Sequence, residues 1–129
     1  MDTISLKIKR QDGPNAKPYW EEFAIPYKEN LNIISLLQMI SLNPVNAKGE
    51  KVTPVVYESN CLEEVCGACS MVINGHARQA CSALVDQLKQ PITLEPLSKF
   101  PIVRDLMVDR SALFEALTKV KAWVNIDGI

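Results

Sequence analysis

The stretch that decides the fold begins Cys61-Leu-Glu-Glu-Val-Cys66-Gly-Ala-Cys69 and closes at Cys81, and it holds all four cysteines of the chain. The spacing C-x4-C-x2-C with a remote fourth cysteine is the ligand pattern of plant-type 2Fe-2S clusters. Three thiolates on one short loop can converge on a single cluster, while the fourth arrives from a later turn. The small residues between Cys66 and Cys69 let the backbone approach and donate N–H groups to electron-rich sulfur. The stretch therefore favours a 2Fe-2S site.

Two other kinds of structure also use clustered cysteines. A structural zinc site usually draws its thiolates from two separate C-x2-C knuckles, and only Cys66 and Cys69 form such a pair here. Disulfides need an oxidising compartment, and the N-terminal stretch MDTISLKIKRQDG lacks the apolar core of a signal peptide. Both alternatives stay open at this point, and the spacing favours the iron-sulfur cluster over either.

The overall composition is that of an ordinary globular protein. A chain of 129 residues with 47% hydrophobic and 22% charged residues suits one compact domain with a short appended element. The net charge of −1, without a run of five basic residues, gives no reason to expect nucleic acid as a partner. No apolar stretch approaches the roughly 20 residues that span a bilayer, so we expect no direct membrane insertion.

The first part of the chain predicts a hairpin of strands followed by a helix. Residues 4–9 alternate apolar and polar side chains, and a second alternation runs over residues 19–27. Residues 31–42 change to the helical period, with Asn32 as a plausible N-cap and Asn43-Pro44 as the stop.

The segments around the cysteines predict further strands. Residues 54–58 are expected to form a short strand that leads into the cysteine loop. Residues 70–73 read as a strand that ends at Asn74-Gly75, a strong hairpin signal, so the returning chain delivers Cys81 near the other thiols. One helical turn over 84–88 and a last strand over 92–94 complete an α+β sheet with one packed helix, compatible with a β-grasp.

Two further features concern chemistry and the end of the chain. The only histidine, His76, follows the predicted turn and is expected to be exposed, and the sequence offers no set of nucleophile, base and orienting group. Residues 100–124 carry a helical pattern with Asp109 as a plausible N-cap. The apolar stripe of that helix needs a surface to cover it, and comprises Leu113, Phe114, Leu117 and Val120.

With these motifs in view, the chain resembles the N-terminal half of the iron-sulfur subunit of succinate dehydrogenase and fumarate reductase. The resemblance extends over essentially all residues, and the final run separates this family from molybdenum hydroxylase subunits that share the cysteine spacing. The matching motifs are Lys9-Arg10, Asn60-Cys61, Cys66-Gly-Ala-Cys69-Ser-Met, Ile73-Asn-Gly75, Arg78 with Cys81, and Pro96-Leu-Ser-Lys-Phe-Pro101-Ile-Val-Arg-Asp105-Leu-Met-Val-Asp109.

The resemblance implies a plant-type ferredoxin domain whose 2Fe-2S ligands are Cys61, Cys66, Cys69 and Cys81. It implies one-electron transfer from a succinate-oxidising flavoprotein subunit with FAD toward quinone, as part of an enzyme of the tricarboxylic acid cycle. It places the chain peripherally on the cytoplasmic side of the membrane, where a cytochrome b subunit is the anchor. A free-standing ferredoxin and a zinc-stapled interaction module are the alternative functions.

The resemblance also divides the chain. Residues 1–97 are expected to form the ferredoxin-type domain, and 98–129 a helical connector toward a C-terminal domain with 4Fe-4S and 3Fe-4S clusters. That second half does not occur in this sequence, so the resemblance implies a part of a longer subunit. The loop departs from many family members, because Leu62 and Glu64 stand where those have arginine and glycine.

Overall fold

The structure is a computed structural model that describes residues 3–58, 69–98 and 100–109. The elements of these residues are β1 (Thr3–Arg10), β2 (Tyr19–Pro26), α1 (Ile33–Leu42), β3 (Ser70–Ile73), β4 (His76–Gln79), a 3-10 turn (Val85–Gln87), β5 (Ile92–Glu95), β6 (Ile102–Arg104) and β7 (Met107–Val108). Five of the strands form one mixed sheet in the order β2-β1-β5-β3-β4, in which β1 and β5 are parallel and the other neighbours antiparallel. The other two, β6 and β7, form a separate antiparallel pair. The mixed sheet with one helix confirms the predicted α+β fold of the ferredoxin-like type.

The first hairpin follows from the alternation in the sequence. Ile4, Leu6 and Ile8 of β1 are fully buried, and β2 pairs with β1 along its whole length. Burying one face of the pair fixes its register, since a slip of one residue would turn the apolar side chains outward.

The helix α1 covers the buried face of the sheet and begins where predicted. The side chain of Asn32 accepts a hydrogen bond from the backbone N–H of Ser35 at 2.8 Å, which satisfies one of the open donors of the first turn. The helix ends at Leu42, just before Asn43-Pro44. Its buried face joins the core shared with the strands, and consists of Ile33, Ile34, Leu36, Leu37 and Ile40.

The second hairpin turns at the predicted pair. Asn74 and Gly75 both have positive φ, at 49° and 84°. A two-residue turn with positive φ at both positions matches the right-handed twist of the two strands that it joins. The Asn74 side chain accepts from the N–H of Thr93 at 2.8 Å and donates to the carbonyl of Lys89 at 3.0 Å. The turn is therefore tied to the neighbouring strand β5.

Two predictions about elements are wrong. Residues 54–58 form no strand, and β5 is not the last one. The first part of the predicted helical connector 98–129 is a β-hairpin over residues 102–108, whose turn contains Asp105 at φ 48°. Aspartate tolerates this left-handed conformation better than most residues, which permits the tight turn.

The helix predicted from Asp109 onward, with its apolar stripe from Leu113 to Val120, lies outside the described residues. The division of the chain at residue 97 stays a prediction. Beyond that point, Leu106 belongs to the same hydrophobic core as the strands of the sheet.

Candidate iron-sulfur site

The second hairpin brings two of the predicted ligands together. Cys69 directly precedes β3, and Cys81 follows β4 by two residues. The N–H of Ala80 donates to the carbonyl of Cys69 at 3.3 Å, which extends the pairing of β3 and β4 by one step. Cys69 and Cys81 therefore lie at the open end of the hairpin, opposite the Asn74-Gly75 turn. Both are buried, with 3% and 8% of their surface exposed, and they are not joined in a disulfide.

A tight turn fixes the position of Cys81. The N–H groups of Ser82 and Ala83 donate to the carbonyls of Gln79 and Ala80, at 3.3 and 3.4 Å. The carbonyl of Ala83 then accepts from the N–H of Ile33 at 3.1 Å, at the first residue of α1. The segment that carries this thiol is thus bound to the hairpin on one side and to the helix on the other.

The other two predicted ligands, Cys61 and Cys66, lie outside the described residues, as do Leu62, Glu63 and Glu64. Among the residues that the structure describes, no three His, Cys, Asp or Glu side chains gather as metal ligands. Cys69 and Cys81 are two of the four thiolates that the spacing predicts. Two buried thiols at one end of a hydrogen-bonded hairpin suit iron in a sulfide cluster, which prefers soft thiolate ligands and responds to solvent exposure.

The segment before the cysteine loop is held in a different way. Residues 53–56 lie against the side chains of Arg10 and Asp105, both fully buried. The guanidinium of Arg10 meets the Asp105 carboxylate at two points, from Nε to Oδ1 at 3.3 Å and from Nη2 to Oδ2 at 3.0 Å. Arg10 also contacts Glu21, from Nη1 to Oε1 at 3.3 Å. The Arg10–Asp105 ion pair thus joins β1, the segment 53–56 and the β6–β7 hairpin.

The environment keeps Arg10 charged. Burial alone would lower the pKa of Arg10, but its hydrogen bond to Asp105 and the charge of that carboxylate outweigh burial and raise the pKa above its usual value. An ionised arginine with a two-point carboxylate partner is a directional contact, and it fixes the relative positions of the chain segments that carry the two groups.

Sequence reasoning missed this ion pair, although β1 contains a signal for it. The alternation that buries Ile4, Leu6 and Ile8 places Arg10 on the same face. A charge on a buried face needs a partner, so the pattern alone predicts an acidic group nearby. It does not say which one, because Asp105 comes from the far end of the described chain. His76, expected to be an exposed turn residue, is exposed at the start of β4.

Among the described residues, a mixed sheet packed against an α-helix, with two buried cysteines at one hairpin end, is the arrangement of a small ferredoxin-like domain. Residues 5–115 match the family described as "2Fe-2S iron-sulfur cluster binding domain", and the chain belongs to this family. Its resemblance to succinate dehydrogenase iron-sulfur subunits is confirmed by two relatives. One, from Bacillus subtilis, is 64% identical over 98% of this chain and 50% of its own length. Another, from Coxiella burnetii, is 32% identical over 86% of this chain and 45% of its own length.

Solved structures support the same fold. The structure titled "Mycobacterium smegmatis Sdh1 complex in the apo form" contains a chain that matches with a TM-score of 0.73 at 22% identity, over 96% of this chain and 48% of that one. The chain thus spans about half the length of each of these three proteins. Within the described part of the chain, no helix has both the length and the apolar character needed to cross a membrane.

Proposed function

We propose that this chain carries single electrons through a 2Fe-2S cluster bound by Cys61, Cys66, Cys69 and Cys81, from a succinate-oxidising flavoprotein toward quinone. The observation that carries the proposal is the pair of buried cysteines at one hairpin end, within a chain that is 64% identical to a succinate dehydrogenase iron-sulfur subunit. A relative named fumarate reductase iron-sulfur subunit, from Haemophilus influenzae, is 28% identical over 84% of this chain, so the proposal covers electron flow in either direction.

A 2Fe-2S cluster accepts one electron at a time, which suits it to separate the two electrons that leave a reduced flavin. The protein's own contribution is structural. The β3–β4 ladder holds Cys69 and Cys81 at a fixed separation, and burial of both thiols keeps water from their sulfurs. The chain itself has no substrate site in this proposal, and it performs no acid-base chemistry.

We further propose the partners that this function needs. A flavoprotein subunit with FAD is the electron donor, and a cytochrome b subunit anchors the complex through a C-terminal half with further clusters. The complex then lies peripherally on the cytoplasmic side of the membrane. Two kinds of relatives support this proposal, namely succinate dehydrogenase and fumarate reductase iron-sulfur subunits.

The test is anaerobic reduction by a physiological donor. The protein is purified with its cluster and mixed with the succinate dehydrogenase flavoprotein of its own organism and excess succinate. We expect succinate to bleach the visible absorption of the cluster nearly as far as dithionite does, and only when the flavoprotein is present. A cluster reduced by dithionite and by a soluble ferredoxin reductase, but never by flavoprotein and succinate, would show a free-standing ferredoxin instead. Bound zinc without iron would show an interaction module.

A further inference from the structure

We propose that Asp105 is a positioning residue for the cluster site, which acts by fixing the segment 53–56 from which the chain runs on to Cys61. This inference rests on the proposed ligand set and adds a residue from the far end of the described chain to it. The β6–β7 hairpin that carries Asp105 lies outside the five-stranded sheet, so its turn serves as a separate support for the segment before the loop.

Every acceptor direction of the Asp105 carboxylate is used. Its Oδ1 accepts from Arg10 Nε at 3.3 Å and from the N–H of Gln11 at 3.1 Å. Its Oδ2 accepts from Arg10 Nη2 at 3.0 Å and from the N–H of Val56 at 3.0 Å. One side chain thus binds the end of β1 and the segment before the cysteine loop together.

The backbone contacts have the same two targets. The N–H of Asp105 donates to the carbonyl of Gln11 at 2.9 Å, and that of Leu106 to the carbonyl of Val56 at 3.0 Å. Val56 is therefore held through both of its backbone groups by the turn at Asp105. Arg10 Nη2 adds bonds to the carbonyl of Pro54 at 3.1 Å and to Thr53 Oγ1 at 3.2 Å.

These contacts replace the strand pairing that the segment lacks. Val55 is the one buried residue among residues 53–56, and two side chains from other parts of the fold supply hydrogen-bond partners to the backbone of its neighbours Pro54 and Val56. Val56 lies five positions before Cys61, whereas Cys69 is fixed by the β3–β4 ladder. Loosening the Asp105 contacts would remove these hydrogen bonds from Val56, while those of Cys69 and β3 would remain. We therefore expect the four-thiolate set to hold its cluster less tightly.

A purely stabilising role is the weaker explanation. A buried ion pair gains little net stability, because the cost of removing both charges from water offsets their attraction. The geometry instead points to directional fixing, since two donors of one guanidinium and two backbone N–H groups converge on one carboxylate.

The test compares cluster lifetime in three matched proteins. Asp105→Asn keeps the side-chain shape but turns one acceptor position into a donor that faces other donors. Glu21→Gln is the control, because it removes the same charge from the other carboxylate bound to Arg10, and the side chain of Glu21 accepts its hydrogen bonds from Arg10 and Asn46 rather than from residues 53–56. Each protein is loaded with its cluster, shown to be folded by circular dichroism, and exposed to an iron chelator. The dithionite-reduced forms are compared by electron paramagnetic resonance.

We expect the Asp105→Asn protein to lose iron roughly tenfold faster than the parent, with shifted or broadened resonance lines, as for outer-shell partners of metal ligands. Glu21→Gln should keep the lifetime and the spectrum of the parent. A folded Asp105→Asn protein with the parent's lifetime and spectrum overturns the inference, as does an equal effect of Glu21→Gln. A parent protein that binds no iron would instead refute the proposed function itself.

A second variant separates positioning from folding. The double change Arg10→Met with Asp105→Leu removes both buried charges and so relieves the unpaired arginine that Asp105→Asn leaves. If Asp105 positions the segment, this double variant folds but still loses iron as fast as Asp105→Asn. A double variant with the parent's cluster lifetime would mean that the pair serves only to balance charge, and would overturn the inference.

Discussion

The two sides of the cysteine loop are held by different kinds of contact. After the loop, Cys69 continues into β3, whose register with β4 and β5 is fixed by backbone hydrogen bonds and buried apolar side chains. Before the loop, residues 53–56 form no strand: Val55 joins the core, and the hydrogen bonds of the segment come from the side chains of Arg10 and Asp105 and from the N–H of Leu106. The position of a strand in a ladder depends on hydrogen bonds from many residues, whereas the position of a segment held by a buried ion pair depends mainly on two side chains. The side before the loop should therefore be the more sensitive to single substitutions.

The largest effect should come from Asp105→Ala. This change leaves the Arg10 guanidinium buried without its two-point partner, and it should lower the free energy of unfolding by about 3–5 kcal/mol. Urea denaturation followed by circular dichroism measures it. The exposed residue Asp12 gives the control, since Asp12→Ala should change stability by less than about 0.5 kcal/mol. If Asp105→Ala and Asp12→Ala were equally stable, the side before the loop would not be unusually sensitive to single substitutions.

On the other side of the loop, Ile73→Ala should lower the stability of the fold without changing how long the protein keeps its cluster. Ile73 is 1% exposed at the turn end of β3, far along the strand from Cys69, and its truncation should cost about 2–5 kcal/mol. Because the ladder near Cys69 persists, the folded variant should keep the parent's rate of iron loss to a chelator. Ile73→Val, with a smaller loss of stability and the same iron loss, is the matched control. Faster iron loss from folded Ile73→Ala would show that the ladder is no more tolerant than the ion pair.

The smallest effect should arise at the hairpin turn. Gly75 has φ 84°, and a Cβ there would meet no atom within 4 Å, so Gly75→Ala costs only backbone strain, about 1–2 kcal/mol. Gly13→Ala is the control, because that site is equally open and has no positive φ. Thermal unfolding of both variants gives the comparison. A Gly75→Ala protein as stable as Gly13→Ala would mean that the turn does not fix the hairpin that carries Cys69 and Cys81.

The sequence predicted the parts of the fold that depend on local patterns. The alternation in residues 4–9, the Asn32 cap of α1 and the Asn74-Gly75 turn each reflect the preference of a short segment, and each is confirmed. The failures concern segments whose hydrogen bonds come from distant residues. Residues 54–58 resemble a strand, but Pro54 lacks an N–H and the partners of the segment are side chains at positions 10 and 105. The β6–β7 hairpin was missed for the same reason, since its turn is stabilised by contacts with Gln11 and Val56.

The sequence predicts the ligands of the candidate site but not the residues that support it. Spacing predicts the cysteines as ligands because thiolates on a short loop can converge on one cluster, and the structure places Cys69 and Cys81 at the same end of the β3–β4 hairpin. The assignment of all four cysteines as ligands stays a prediction. The role of Asp105 depends on a contact across 95 positions of the chain, which periodicity and spacing do not reveal.

The most direct measurement is an iron and sulfide count combined with electron paramagnetic resonance of the dithionite-reduced protein, for the parent and for each cysteine-to-alanine variant. The parent should hold two irons and two sulfides per chain and give the signal of one unpaired electron. Cys61→Ala, Cys66→Ala, Cys69→Ala and Cys81→Ala should each lose the cluster, because three thiolates leave an iron site open. The four-cysteine 2Fe-2S site would be contradicted by a parent protein that binds zinc and gives no resonance signal. It would equally be contradicted by any of the four variants that keeps two irons and an unchanged signal.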